Sequence, residues 1–318
     1  MPRFNIHHIT KYTYEGPVRD SANQIVLFPV KDEYQEVLKH DLTISGEPPV
    51  EIYKDYHGNE IGSFTYAEPH QSLIIDSRLE VITKPRPEIK DEAEIESQWA
   101  QLGQVQWQVP YIDFLKQEQF ASLSEVLESV CPDKARSRTP LEAAVQLRNY
   151  VYEQFKYIKG VTSVESTLDE VWKLKAGVCQ DFAHMLLVFL RQIQIPARYV
   201  SGYICPNQNG MRGEGATHAW IEAYIPFNGW VGLDPTNNCI TDDLHVRLAV
   251  GRSFSDCSPV KGTYKGTAGQ MLEVGVSVSY ENGRTAEDAV TILSHQSSVD
   301  GDELNSYRRY MEMMQQQQ

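Results

Sequence analysis

The sequence lacks the features that would assign it to a membrane-spanning or nucleic-acid-binding class. No stretch of 18 or more apolar residues occurs in the 318-residue chain, so no segment has the character of a transmembrane helix. Basic residues are scarce: 29 Lys and Arg stand against 43 Asp and Glu, a net charge of −14. Because an acidic surface repels nucleic acid and anionic lipid, we expect neither as a partner.

Cysteine is also scarce, and its distribution excludes a disulfide framework. The five cysteines are spread along the chain, at positions 131, 179, 205, 239 and 257. The count is odd and no Cys-x-x-Cys pair occurs, so the spacing predicts neither a disulfide scaffold nor a paired-cysteine metal site. The first residues contain no apolar run of the kind found in signal peptides. We therefore expect a reducing, cytoplasmic setting.

What is present at the start of the chain is a series of strand-forming segments. They cover residues 4–14, 25–28, 37–44, 51–54, 62–67, 73–75 and 79–82. The pair Gly16-Pro17 and the segment Tyr56-His57-Gly58-Asn59 are turn signals between them. Short strands at this spacing are typical of a sandwich or small barrel. We assign residues 1–87 to an N-terminal β-rich, sandwich-like domain, followed by a linker or wrapping segment over residues 88–120.

Helices dominate the next part of the chain and strands follow them. Thr139, Pro140 and Glu142 form a capping-box start signal. Further helices are predicted from Ser166 to Gly177, where glycine would supply a left-handed cap, and from 179 to 194. Strands are then predicted over residues 199–204, 218–225 and 229–234. Helices followed by strands indicate an α+β core, which we place at 121–270, with a C-terminal strand and tail at 271–318.

Three residues at the ends of these elements suit nucleophilic catalysis. Cys179 opens a helix in Gly-Val-Cys, His218 begins a strand in His-Ala-Trp, and Asp234 ends a strand in Asp-Pro-Thr-Asn. A free thiol has a pKa of ~8.5 and attacks as the thiolate, which a helix N-terminus and an imidazolium both favour. The order suits a nucleophile, its base and the group that orients the base. Taken singly, each residue also fits a structural role, as a buried thiol, a packed imidazole and a turn former.

Neighbouring residues have simpler interpretations. His184 lies five positions after Cys179 on the same helix, an offset that turns it away from the thiol, so we expect it to pack or to hydrogen-bond. Asp181 lies in the first helical turn and complements the helix dipole. The glycine-containing loop from Pro206 to Gly215 precedes the His218 strand; we predict that it borders the substrate cleft, with a plain solvent loop as the alternative.

Several motifs together resemble the transglutaminase-like superfamily. They are Gly177 to His184, Ile195 to Tyr203, Thr217 to Trp220 and Gly229 to Asn237. The group most similar in pattern comprises bacterial proteins described as cysteine proteases. In the N-terminal region, Tyr12 to Val18 and Asp55 to Asn59 resemble the β-rich region that precedes the core in that group. The similarity covers most of the chain and is weaker over 88–120 and the last 40 or so residues.

This resemblance implies a papain-like core with a Cys-His-Asp triad. Matched by position, Cys179 is the nucleophile, His218 the base and Asp234 the orienting group. The backbone N–H of Cys179 would donate to the oxyanion, and the resemblance leaves Tyr157 and Trp172 as candidates for a second donor, with packing the favoured role of Trp172.

The implied activity is acyl transfer from a peptide or glutamine amide through a thioester. Hydrolysis, by a cysteine protease or amidase, is favoured over transfer to an amine by a transglutaminase. A binding module that retains the triad is a further alternative. A zinc site built from Cys179, Cys205, His184 and His218 is a weaker one, because the spacing lacks a paired-ligand motif. We expect a protein or peptide substrate and no cofactor or metal; no Asp-x-Asp-x-Asp calcium loop is present.

Overall fold

The computed structural model describes residues 1–130, 135–163, 166–205, 211–212, 217–281 and 291–297. Its helices are α1 (Ile95–Val105), α2 (Leu123–Val130), α3 (Pro140–Gln154), α4 (Leu168–Leu174), α5 (Cys179–Gln192) and α6 (Phe254–Cys257), with one 3-10 turn at Asp113–Leu115. Its strands are β1 (Arg3–Ile25), β2 (Gln35–Ile44), β3 (Glu51–Lys54), β4 (Glu60–Tyr66), β5 (His70–Thr83), β6 (Lys156–Tyr157), β7 (Ala176–Gly177), β8 (Ala197–Ile204), β9 (Thr217–Ile225), β10 (Gly229–Asp234), β11 (Cys239–Ile240), β12 (His245–Gly251), β13 (Val260–Lys265), β14 (Gln270–Tyr280) and β15 (Thr291–Ser297). Among the helices of this described part, none is long and apolar enough to cross a membrane.

The N-terminal region is a curled antiparallel sheet organised around the 23-residue strand β1. The first half of β1 pairs with β5 and β14, and its second half pairs with β4 and β13. The predicted turn at Gly16-Pro17 is wrong: β1 continues through it, and the register with β5 shifts between Thr13 and Val18. A strand that bends at an irregularity can leave one layer and enter another, which makes this region sandwich-like, as predicted.

The C-terminal part of the chain returns to this sheet. Strand β14 pairs with β1 over eleven successive positions, from Phe4 opposite Tyr280 to Tyr14 opposite Gln270. Strand β13 pairs with the other half of β1. Both ends of the described chain therefore contribute to the N-terminal layer, and the mixed helix-and-strand core is inserted between them.

The core consists of helices packed on a five-stranded antiparallel sheet with the order β11-β10-β9-β8-β12. Helix α5 is central and almost wholly buried, with Phe182, Met185, Leu186, Phe189 and Leu190 at or near zero exposure. The helix predicted from 179 is thus present, and the arrangement confirms the predicted α+β class. Helix α3 starts at the predicted capping box, in which Thr139 accepts from the backbone of Glu142 and Glu142 accepts from the backbone of Thr139.

Helix α4 also has a capping box, formed by Thr167 and Glu170, but its predicted end is wrong. It stops at Leu174, and Lys175 adopts the left-handed conformation with φ of 48°. Gly177 is required for a different reason: a Cβ there would lie 2.3 Å from Oδ2 of Asp181. The glycine therefore permits the close approach of Asp181 immediately before α5.

A candidate cysteine–histidine–aspartate active site

Cys179 is the first residue of α5. The backbone that leads into it is held by the carboxylate of Asp181. Asp181 accepts a hydrogen bond from the backbone N–H of Val178 at 2.7 Å and another from the hydroxyl of Thr162 at 2.7 Å. The first bond satisfies an N–H that the helix leaves unpaired. Asp181 thus acts as the expected partner of the helix N-terminus, and it ties the segment around Thr162 to the same point.

Cys179 is partly exposed, whereas two of the other three thiols in the described residues are buried. Cys205 and Cys257 are fully buried, and burial raises the pKa of both thiols well above the usual value. Cys239 is partly exposed. Because only an accessible thiolate can attack a substrate, Cys179 and Cys239 are the thiols of this part of the chain that reagents can reach.

His218 and Asp234 lie on neighbouring strands and meet through sheet register. Strands β9 and β10 are antiparallel, with Leu233 opposite Ile221. Extending that register by one residue places Asp234 opposite Trp220, two positions from His218 and on the same face. The Nε2 of His218 lies 2.8 Å from Oδ2 of Asp234, so the predicted base and orienting group are in hydrogen-bond contact.

The Asp-Pro-Thr-Asn segment explains how Asp234 is held. The carboxylate is fully buried. It accepts from the backbone N–H groups of Thr236 at 2.8 Å and Asn237 at 3.2 Å, and from the Asn237 side-chain amide at 2.8 Å. Burial alone would raise the pKa of Asp234, but the charge of His218 and its hydrogen bond outweigh burial and lower it. The residue is therefore an oriented anion and more than a turn former.

The electrostatics of His218 favour its protonated form. Burial alone would lower the pKa, but the charge of Asp234 and the hydrogen bond to it, with a further contribution from Cys179, raise the pKa to about 10. The ring stacks on Trp220 with centroids 6.0 Å apart. Its Nδ1 is buried and has no hydrogen-bond partner among the described residues. With Nε2 held by Asp234, Nδ1 is the nitrogen left to exchange a proton.

Tyr157 and Trp172, the candidate second oxyanion donors, have different surroundings. Tyr157 on β6 pairs with Gly177 on β7, two residues before the thiol. Burial is the main cause of the raised pKa of Tyr157, and the nearby Cys179 raises it further. In contrast, Trp172 is buried and donates its indole N–H to Glu125 at 2.8 Å. The structure thus places Tyr157 near the thiol, whereas the N–H of Trp172 is already used in its hydrogen bond to Glu125.

His245, which the sequence motifs did not single out, also contacts the Asp234 carboxylate. Its Nε2 is 3.5 Å from Oδ2 of Asp234, and its Nδ1 is 2.9 Å from Oδ1 of Asp242. Burial opposes its protonation, but the two carboxylates outweigh burial and raise its pKa. His245 begins β12, which reaches this point only because β12 pairs with β8. No local signal in the sequence indicated that placement.

The structure does not gather the zinc ligands considered from the sequence. The ring of His184 accepts a hydrogen bond from the backbone N–H of Phe254, in agreement with its predicted role, and Cys205 packs in the N-terminal core. Among the described residues, the group of metal-ligand type whose donor atoms lie close together is Asp234, Cys239 and His245.

The loop from Pro206 to Gly215, predicted to border the cleft, lies outside the described residues except at positions 211 and 212. Within it, the backbone N–H of Arg212 donates to the side chain of Asn237 at 2.7 Å. Its guanidinium lies 4.9 Å from the ring centre of Tyr152 and 5.9 Å from that of Tyr157. This part of the loop is therefore close to the Asp234 segment, and the cleft role stays a prediction.

Comparison with known proteins identifies the family. Residues 130–235 match the transglutaminase-like superfamily, and residues 4–82 match the bacterial transglutaminase-like N-terminal region. The chain belongs to the transglutaminase-like superfamily. An uncharacterised protein of Mycobacterium leprae is 31% identical over 284 residues, which cover 88% of this chain and 99% of that protein.

Two further similarities connect the family to named activities in other proteins. A Cytophaga hutchinsonii protein, described as a candidate cysteine protease, has a crystal structure that matches with a TM-score of 0.70 at 19% identity, covering 93% of this chain and 98% of that one. This match confirms the fold. A protein-glutamine gamma-glutamyltransferase of Pseudomonas aeruginosa is 29% identical over 110 residues, or 32% of this chain and 16% of that protein.

Proposed function

We propose that this protein is a cysteine-dependent amide hydrolase acting on a protein or peptide through Cys179, His218 and Asp234. The observation that carries the proposal is the buried His218–Asp234 hydrogen bond of 2.8 Å, together with the Nδ1 of His218, for which the described part of the chain offers no hydrogen-bond partner. That arrangement leaves one ring nitrogen free for proton transfer, next to a thiol at a helix N-terminus. The four described cysteines are free thiols, which agrees with the proposed reducing, cytoplasmic setting.

In the proposed first half-reaction, the Cys179 thiolate attacks the carbonyl carbon of the scissile amide. The C–S bond forms as the carbonyl electrons move to oxygen, and the backbone N–H of Cys179 donates to that oxyanion. We propose the Tyr157 hydroxyl as the second donor. His218 gives its Nδ1 proton to the leaving nitrogen, the C–N bond breaks, and a thioester and a free amine result.

In the second half-reaction, a water molecule adds to the thioester. His218, now neutral, accepts a proton from the water at Nδ1, and the collapse of the second oxyanion breaks the C–S bond. A carboxylic acid leaves, and the thiolate–imidazolium pair is restored. Asp234 holds the ring in the working tautomer and stabilises the imidazolium, but it does not itself take the proton.

Transfer to an amine is the second candidate function, and the partial similarity to the Pseudomonas aeruginosa gamma-glutamyltransferase favours keeping it. The two reactions share the thioester and differ only in the acceptor. A glutamine-containing peptide mixture, incubated with and without a fluorescent primary amine, separates them. Hydrolysis of a peptide bond yields new termini and no ammonia, and hydrolysis of a glutamine side chain yields glutamate and ammonia. Transfer also releases ammonia but yields a peptide that carries the fluorescent amine, so the labelled peptide, detected by mass spectrometry, distinguishes transfer from hydrolysis.

Alkylation by iodoacetamide tests the proposed pair before any substrate is known. The rate at Cys179 is measured by mass spectrometry across pH 4 to 9 in the wild type and in His218→Ala. We expect fast labelling at neutral pH in the wild type and a rate that follows an ordinary thiol in the variant. If both proteins behave as an ordinary thiol, the pair is not assembled. A non-catalytic binding role would then be favoured, and Cys179→Ala should retain the biological function.

A further inference from the structure

A second cluster of reactive side chains shares the Asp234 carboxylate with His218. Asp234 ends β10, Cys239 begins β11 and His245 begins β12. One ligand-type atom from each of the three lies within 4.8 Å of the others. Three successive strands thus bring a thiol, an imidazole and a carboxylate close together.

The imidazole of His245 is held as metal-binding histidines are held. Its side chain is 1% exposed, and among the described residues its Nε2 has no hydrogen-bond partner. The other nitrogen, Nδ1, contacts the carboxylate of Asp242 at 2.9 Å. An outer carboxylate on one ring nitrogen fixes the tautomer so that the other nitrogen offers its lone pair to a metal. The unsatisfied atom points toward Asp234 and Cys239.

The donor set and its spacing suit zinc. Thiolate, imidazole and carboxylate are the three ligand types of protein zinc sites, and together they carry two negative charges here. Two ligands at about 2.0 Å in a tetrahedral site are about 3.3 Å apart, close to the 3.5 Å between His245 Nε2 and Asp234 Oδ2. The thiol lies within 4.8 Å of the other two donor atoms, so a side-chain movement of about 1 Å brings it to the roughly 3.5 Å expected between a sulfur and a second ligand of a tetrahedral zinc ion. Cys239 is partly exposed, which gives an ion a path from solvent.

We propose that Asp234, Cys239 and His245 bind one zinc ion, and that the bound zinc switches off the Cys179–His218 pair. The second half of this proposal rests on the proposed function. The link between the sites is Asp234, which is shared by both. A carboxylate that gives electron density to a dication stabilises the His218 imidazolium less, so the proton and the thiolate are no longer maintained.

Zinc binding is tested first in the Cys179→Ala background, because a nucleophilic thiol can itself bind zinc. Metal-free protein competes with a chromophoric chelator for added zinc. We expect one equivalent to bind, and Cys239→Ser or His245→Gln in the same background to abolish binding. Asp242→Asn should weaken it about 10–100-fold, since it removes only the outer carboxylate. Cobalt in place of zinc should give a thiolate charge-transfer band that Cys239→Ser removes.

An absence of stoichiometric zinc in the Cys179→Ala protein would overturn the site, and so would binding that Cys239→Ser and His245→Gln leave unchanged. His245 would then hold a proton between two carboxylates.

The switch is tested in proteins that retain Cys179. The alkylation rate of Cys179 is measured with and without zinc, and the rate of each protein with zinc is divided by its own rate without metal. Zinc should slow the wild type and not Cys239→Ser; an equal effect on both overturns the switch. Zinc binding in a protein that shows no Cys–His pairing would sustain the site and refute the proposed function.

Discussion

Asp181 accepts the backbone N–H of Val178 at 2.7 Å, one residue before the proposed nucleophile. This bond can form only because position 177 has no side chain, since a Cβ there would lie 2.3 Å from Asp181 Oδ2 and 2.7 Å from its Cβ. The orientation of Cys179 at the start of α5 is therefore set by a glycine and a carboxylate that do no chemistry themselves.

Gly177→Ala should displace Asp181 and lower both stability and Cys179 reactivity. Overpacking and a lost helix cap together cost about 1–3 kcal/mol of unfolding free energy. Urea unfolding and the alkylation rate at Cys179 measure the two effects. Gly103→Ala is the matched control, because a Cβ at that helical position meets nothing within 4 Å. Equal behaviour of the two variants would show that Asp181 does not depend on the glycine.

Asp234→Asn should raise the pH at which Cys179 becomes reactive. With the carboxylate present, the pKa of His218 is raised from 6.5 to about 10, so the imidazolium persists below that value and stabilises the Cys179 thiolate at neutral pH. Without the carboxylate, burial is unopposed and the proton leaves His218 at lower pH, so Cys179 ionises only as an ordinary thiol does. Turnover on any identified substrate should fall about 10²–10⁴-fold.

The measurement is the alkylation rate at Cys179 as a function of pH, in the wild type, in Asp234→Asn and in a control variant. Asp169→Asn is the control, because that carboxylate is also hydrogen-bonded, to Ser122, but lies on helix α4. We expect Cys179 in this variant to become reactive at the same pH as in the wild type. An unchanged onset of reactivity in Asp234→Asn would separate Asp234 from the imidazole that it contacts.

Tyr157→Phe tests the proposed second oxyanion donor. Loss of one such donor lowers kcat by about 10²–10³-fold while leaving KM nearly unchanged, because the hydrogen bond forms in the transition state. Tyr152→Phe is the control, since both rings lie beneath the Arg212 guanidinium. A fall in kcat that is the same for both tyrosines would assign the effect to the Arg212 contact.

The sequence was sufficient for the parts of the fold that local chemistry decides. The capping box at Thr139, the helix that begins at Cys179 and the strand that ends at Asp234 are all present as predicted. Each depends on residues within one or two turns of chain. The same is true of the turn around Gly58, whose φ is 84°.

The features that were missed depend on contacts between distant segments. Gly16-Pro17 has the composition of a turn, yet strands β4, β5, β13 and β14 hold β1 extended on both sides of it. His245 reaches Asp234 through the pairing of β12 with β8. Lys175 takes a left-handed conformation, which local propensity assigns to glycine. Strand pairing and packing decided these cases, and a local pattern carries no record of them.

The buried carboxylate of Glu222 should make the folding stability of the protein fall at acid pH. It is fully buried and lies 2.6 Å from Arg198, 3.2 Å from Arg86 and 3.8 Å from Arg247. Burial alone would raise its pKa, but the three guanidinium groups outweigh burial and lower the pKa from 4.5 to about 2. Since the folded value is below the unfolded one, the stabilisation is complete above about pH 4.5 and is lost as the pH falls toward 2. The shift corresponds to about 3 kcal/mol.

Glu222→Gln should remove this dependence and leave three arginines facing a neutral side chain. We expect the variant to lose about 3–5 kcal/mol at neutral pH and to show a shallower decline between pH 4.5 and 2 than the wild type. Urea unfolding at several pH values measures both quantities. Glu88→Gln, at an exposed position, is the control for the loss of a carboxylate and should follow the wild-type curve. Parallel curves for the wild type and Glu222→Gln would mean that other carboxylates, among them Asp234, account for the acid sensitivity.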